Sequence, residues 1–184
     1  MRLLAFAASL RRGSINRKLL HVAIDVARRQ GAEVDEHPFS EFEFPNYNAD
    51  VQNSAGIPDA VVRMGQLIEA SDGLLLASPE YNYSLPGTLK NTIDWLSRLR
   101  PVPTRGRWAF LMSSSTGMIG GIRGLWQLRI PLEGMGTFIH PDMYTLPQGQ
   151  QAFDEAGRLK EADRLERLEK MMAGYLDAVR KARA

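Results

Sequence analysis

The chain has 184 residues, 44% of them apolar and 24% charged, which is the balance of an ordinary globular protein long enough to bury a core. It contains no cysteine, which excludes disulfides, thiolate metal sites, iron–sulfur clusters and cysteine nucleophiles. A net charge of +2 is too slight to argue for a nucleic-acid partner without a clustered basic patch, and it suits small anionic ligands.

Residues 2–8 are almost continuously apolar, as in a strand buried on both faces. The start superficially resembles a signal peptide, but Arg11 and Arg12 follow at once and the run is only strand-long, so a cytoplasmic protein is expected. No apolar run approaches the roughly 18 residues of a membrane span, so no membrane partner is expected either. After the polar loop 9–14, a helix carries Leu19, Val22, Ala23 and Val26 on one face and closes near Gly31. Residues 32–39 read as a second, weaker strand. The aromatic, Asn-rich stretch 40–57 reads as a loop, and loops of that length are usually functional or disordered. A helix opened by Pro58-Asp59 with Val61, Met64 and Ile68 on its stripe leads to a third strand at 72–78. The loop 79–86, a helix at 87–99, a fourth strand at 107–113 and the small-residue loop 113–121 follow. A helix near 122–132, a fifth strand over 136–144 and a last helix from about 155 to 181 complete the chain. That last helix places Leu165, Leu168, Met172, Tyr175 and Val179 on one stripe, with Asp163–Arg167 and Glu166–Lys170 spaced for i,i+4 pairing.

Strands alternating with helices specify an α/β fold with a parallel, doubly wound sheet. Such sheets bind ligands beyond the carboxyl ends of their strands, so the loops after strands one, three and four should hold the chemistry. The first, Ser9-Leu-Arg-Arg-Gly-Ser14-Ile-Asn16, sets hydroxyls and guanidinium groups at a helix start, where phosphate is the natural guest. Ser14 or Asn16 serving only as a helix cap is the plainer reading. Neither G-x-x-x-x-G-K-[ST] nor a G-x-G-x-x-G after the first strand is present, which argues against a nucleotide triphosphatase and an ordinary dinucleotide-binding domain. The second loop, from Ser78 to Pro86, combines two prolines with Tyr81 and Tyr83, able to pack on a flat ring. The third, Ser113 to Gly121, lets a ligand approach the backbone closely.

Three blocks carry a family resemblance: Ser9-Leu-Arg-x-Gly-Ser-x-Asn16, Pro79-Glu-Tyr-Asn-Tyr-Ser-x-Pro-Gly-x-Leu-Lys-Asn-x-Ile-Asp-Trp-Leu-Ser-Arg98, and Gly117-x-Ile-Gly-Gly121. They resemble the NADPH-dependent FMN reductase family, and within it the bacterial chromate and quinone reductases. The likeness runs from residue 3 to about 145 and includes Tyr47–Gln52. It implies one flavodoxin-like domain over 1–184, with a five-stranded parallel sheet of order 2-1-3-4-5 and helices on both faces. It also implies non-covalently bound FMN, NADPH as reductant (NADH possible), small-molecule electron acceptors, and a homodimer or homotetramer. Carried across, Ser9, Arg11, Ser14 and Asn16 hold the phosphate and ribityl end. Pro79, Glu80, Tyr81 and Asn82 line the isoalloxazine, largely through their backbone, and Ser114 closes its pyrimidine side. Ala8 stands where relatives often carry glycine. Arg123 and Trp126 are expected at a subunit interface. The implied reaction is a two-step hydride relay from NAD(P)H through the flavin N5 to an acceptor, with no catalytic protein residue required. Quinone, free FMN, azo dye and chromate all suit it.

His21, His37 and His140 are scattered and are not expected to bind metal, and the missing G-x-S-x-G weakens a hydrolase reading. The rival functions are a flavodoxin-like electron carrier without NAD(P)H turnover, which usually demands a strongly acidic chain, and a flavin-free regulatory protein.

Overall fold

In the computed structural model, which describes residues 1–183, the apolar run at the start forms β1 (Arg2–Ala7). It pairs in parallel with β2 (Glu33–Glu36) on one side and β3 (Gly73–Ala77) on the other, with Leu3 facing Val34 and Gly73. β4 (Trp108–Ser114) lies against β3, and β5 (Phe138–Ile139) against the start of β4. The sheet order is 2-1-3-4-5, as expected, and it is flavodoxin-like. The expected single strand over 136–144 is instead broken. Pro141 has no N–H for the ladder, the chain leaves β4 after His140, and pairing resumes at β6 (Tyr144–Leu146), opposite Met112–Ser114.

Side chains alternate across the sheet. Leu3, Ala5, Ala7, Leu75, Ala77, Phe110 and Met112 join the core beneath α1 (Ile15–Arg29) and α6 (Ala162–Lys181). Leu4, Phe6, Leu74, Leu76, Ala109 and Leu111 join the opposite core beneath α3 (Asp59–Glu69), α4 (Gly87–Leu96) and α5 (Ile122–Gly134). Helices on both faces explain why the central strands are apolar throughout rather than alternating.

The stretch 40–57 is more ordered than a loop. A 3₁₀ turn occupies Phe39–Glu41, and α2 (Ala49–Ala55) is capped by Asn48, whose Oδ1 accepts from the Asp50 N–H at 2.9 Å. The last helix begins at Ala162, not near 155. Residues 153–159 form a turn instead, closed by a bridge between Phe153 and Leu159 and by the Arg158 N–H donating to Asp154 at 2.8 Å. Among the described residues neither Asp163–Arg167 nor Glu166–Lys170 pairs. Arg167 donates to the Thr145 carbonyl instead, and Glu169 takes Arg29 of α1 at 2.8 Å. For Arg167 a tertiary partner has outcompeted the pair that spacing alone suggests, which is worth only a few tenths of a kcal/mol. Among the described residues no helix is long and apolar enough to cross a membrane.

Candidate functional site

The Ala8 N–H continues the β1 ladder by donating to the Ala77 carbonyl at 2.8 Å, and its methyl group is buried, so alanine fits where glycine was anticipated. The chain then turns with Ser9 buried and Arg11 exposed; Arg11 enters no ion pair among the described residues. Ser14 caps α1: its Oγ accepts from the Arg17 N–H at 3.3 Å, which leaves the hydroxyl proton free to donate. The first turn of α1 carries no acidic side chain, so the positive end of the helix dipole is uncompensated. Hydroxyls, a free guanidinium and helix N–H groups are the donor set of a phosphate site.

Asn16 is buried at the edge of the cradle these donors line, and its amide is engaged within the chain. Its Oδ1 accepts from the Ser114 N–H at 2.8 Å, and its Nδ2 donates to the Ser114 carbonyl at 2.9 Å. Both residues are buried. The amide therefore brackets the start of α1 to the carboxyl end of β4, 98 residues away. Ser114 is further tied by its Oγ, which donates to Leu146 O at 3.1 Å.

The second loop is a two-residue hairpin. Tyr81 and Ser84 exchange backbone hydrogen bonds of 3.0 Å each, and Asn82 (φ 48°) and Tyr83 (φ 67°) occupy the two left-handed positions of a type I′ turn. Asparagine tolerates that geometry and tyrosine does so only with support. The support is Arg123, whose guanidinium lies 4.0 Å from the centre of the Tyr83 ring. Arg123 also grips Glu80 through Nη2 at 2.7 Å and Nε at 2.9 Å, while the Gly124 N–H donates to Oε2 at 3.1 Å. The Glu80 carboxylate is thus spent on the α5 N-terminus, where the helix dipole favours it. Its contribution to the pocket is through the rest of the residue. Asn82 is exposed on the turn and does not line the pocket.

The third loop is held by residues 148–149, which lie past the motifs that carried the resemblance in the sequence. The Gln148 N–H donates to Gly117 O at 3.2 Å and the Gly149 N–H to Ser115 O at 2.9 Å. A side chain at Gly149 would collide with the Ser114 Oγ. The Pro147-Gln-Gly149 turn signal was visible in the sequence, but its partner was not.

The three loops converge on one concavity of about 170 Å³, lined by Ser9, Arg11, Ser14, Asn16, Pro79, Glu80, Tyr81 and Ser114. Sequence reasoning missed three further lining residues, Ile15, Ser115 and Thr116, although all three fall within the loops it selected. The concavity is smaller than the ~300 Å³ at which ligand pockets commonly begin. A cradle of this size can hold only part of a flat ligand. A larger groove of about 720 Å³ runs between α1 and the 153–160 turn. It shares no lining residue with the cradle, and several of its charges are already paired, Arg158 with Asp154 and Arg29 with Glu169. Convergent donors rather than size pick out the site. Among the described residues no three His, Asp or Glu side chains gather as a metal site; His21 pairs with Glu36 at 2.9 Å.

The family model for NADPH-dependent FMN reductases matches residues 1–156. The chain belongs to this family. It is 38% identical over 162 residues to an NAD(P)H-dependent FMN reductase of Pseudomonas aeruginosa, covering 86% of this chain and 84% of that one. It is 40% identical over 129 residues to a quinone reductase of Escherichia coli (strain K12), covering 70% and 68%. Among solved structures, the flavoenzyme NAD(P)H:(acceptor) oxidoreductase FerB of Paracoccus denitrificans superposes with a TM-score of 0.84 at 29% identity, covering 98% of both chains. Membership makes the chain an FMN-dependent oxidoreductase, and the donor set at the α1 N-terminus fits that cofactor's phosphate.

Proposed function

We propose that this reductase oxidises NAD(P)H and delivers the electrons to a quinone. The observation that carries the reading is the convergence of a phosphate-type donor set and a rigid aromatic hairpin on one open cradle. FMN, when bound, would supply the two-electron redox chemistry that links the nicotinamide to the acceptor. Ser9, Ser14, Arg11 and the first N–H groups of α1 would hold its phosphate. Pro79 and Tyr81, the latter half-exposed, would flank its ring, and the Glu80–Arg123 pair keeps their hairpin in register. Ser115 and Thr116 sit opposite, braced by residues 148–149. The open face admits nicotinamide and acceptor in turn. No side chain in the cradle needs to transfer a proton, since quinone oxygens can take theirs from solvent.

The shallow cradle also supports a homo-oligomer, in which a second subunit deepens the site. Trp126 and Ile130 lie one turn apart on α5 with 54% and 65% of their surfaces exposed, an apolar stripe beside the Arg123 anchor. A cytoplasmic location belongs to the same reading.

The test is direct. The purified protein should be yellow and should oxidise NADPH or NADH with quinone faster than with free FMN or chromate. A yellow protein that never turns over nicotinamide would be an electron carrier. A colourless one that takes up no FMN would sink the reading. Light scattering should give a multiple of 20.6 kDa.

A further inference from the structure

Beside the cradle lies a second concavity, of about 270 Å³, lined by Leu10, Phe39, Phe42, Phe44, Thr88 and Thr92. Loop one separates the two. Ser9 and Arg11 line the cradle while Leu10, between them, lines the second pocket, so neighbouring residues with Cα atoms ~3.8 Å apart face the two concavities. Thr88 follows directly on the hairpin through Pro86 and Gly87.

The pocket is built in advance. Phe39 stacks on Phe6 of β1 with ring centres 5.8 Å apart. The segment after it is staked to α4: Asn91 Oδ1 accepts from the Tyr47 N–H at 2.7 Å, and its Nδ2 donates to Pro45 O at 3.1 Å. Trp95 Nε1 donates to the same carbonyl at 2.8 Å, and its ring meets Tyr47 edge-on at 5.1 Å. Part of the polar lining is engaged within the chain, Asn91 with the Tyr47 N–H and Pro45 O and the Thr92 hydroxyl with Thr88 O at 2.9 Å. The apolar wall offered to a ligand is Leu10, Phe44 and the edges of the largely buried Phe39 and Phe42, with the exposed Asn46 and Thr88 beside them. The only charged lining side chain is the exposed Glu43, which disfavours anions such as chromate. Rigid apolar walls bind an apolar group without the cost of ordering a loop.

We propose that this pocket receives the prenyl side chain of a neutral quinone whose ring reacts over the cradle. The inference rests on the quinone-reductase reading and names the acceptor class within it. The reaction is unchanged: NAD(P)H supplies hydride, the quinone takes it with one proton from solvent, and the hydroquinone leaves.

The experiment uses the FMN-loaded protein and one benzoquinone ring bearing zero, one or two isoprene units. Burying one unit should raise kcat/KM about tenfold over the unsubstituted ring. Thr88→Trp, an exposed position at the pocket, should fill it and bring that ratio close to one, and Phe44→Ala should lower it. Melting curves and flavin content verify that both variants are folded and loaded. Independently of turnover, saturation-transfer NMR should show geraniol bound to the wild type and not to Thr88→Trp. Equal kcat/KM across the series, or a ratio that neither variant alters, overturns the proposal. If no quinone of any length is reduced, the functional reading falls, and the geraniol measurement still decides whether the pocket takes a prenyl chain.

Discussion

Asn16→Ala should weaken the fold before it affects the flavin directly. The substitution strips partners from the Ser114 N–H and the Ser114 carbonyl, which are buried and bonded at 2.8 and 2.9 Å in the native chain. Each orphaned buried group costs about 1–3 kcal/mol. Because Asn16 borders the cradle, a water can enter the vacated volume and recover part of that, so the lower half of the range applies, about 2–4 kcal/mol in total. With a urea slope of ~2 kcal/mol/M the unfolding midpoint should fall by about 1–2 M, a large share of the ~5–15 kcal/mol typical of a domain. Asn16→Asp should do no better, because it keeps an acceptor for the N–H but turns a charge toward the carbonyl. The assay is urea unfolding of the flavin-free protein followed by circular dichroism, alongside an FMN titration of the same variants. An unchanged midpoint combined with a weakened FMN affinity would show that Asn16 is a ligand and not a bracket, and would refute the argument.

Arg11→Ala removes an exposed, unpaired guanidinium, so the unfolding midpoint should stay put while FMN affinity drops about tenfold to a hundredfold. Riboflavin, which lacks the phosphate, should bind both proteins equally in a fluorescence titration. Gly121→Ala forces a side chain into φ +86° and against the buried Ser113 Oγ, and should cost more than ~2 kcal/mol in a melting experiment, displacing the third loop with it. His140 is buried between the Phe110 and Tyr175 rings, and burial lowers its pKa against the smaller opposing pull of Asp142. The folded chain therefore takes up this proton less readily than the unfolded one, so the associated stability is present above the ordinary histidine pKa of about 6.5 and is lost on acidification below it. Melting temperature should drop between pH 7.5 and 5.5, and His140→Phe should flatten that drop; an equally steep drop in the variant would contradict the assignment.

The central strands were legible because burial on both faces leaves an unbroken apolar run, seen at Leu3–Ala7 and Leu74–Ala77. The ligand-binding rim followed from topology alone, and eight of the nine residues assigned by resemblance line one cradle. Where the reading erred, non-local forces had decided. Pro141 broke the edge strand at a point where composition still looked like strand. Arg167 passed over its helical neighbour Asp163 for the Thr145 carbonyl.

Local pattern and periodicity determine which segments become strands and helices, because backbone propensity and one-sided burial act over a few residues. They also place hydroxyls, guanidinium groups and small residues in particular turns. Whether such a group faces a ligand or serves the scaffold is settled by partners far along the chain: Ser114 for Asn16, Arg123 for Glu80, Gln148 and Gly149 for the third loop. A buried polar atom must be satisfied, and which neighbour satisfies it is known only once the strands have been brought side by side.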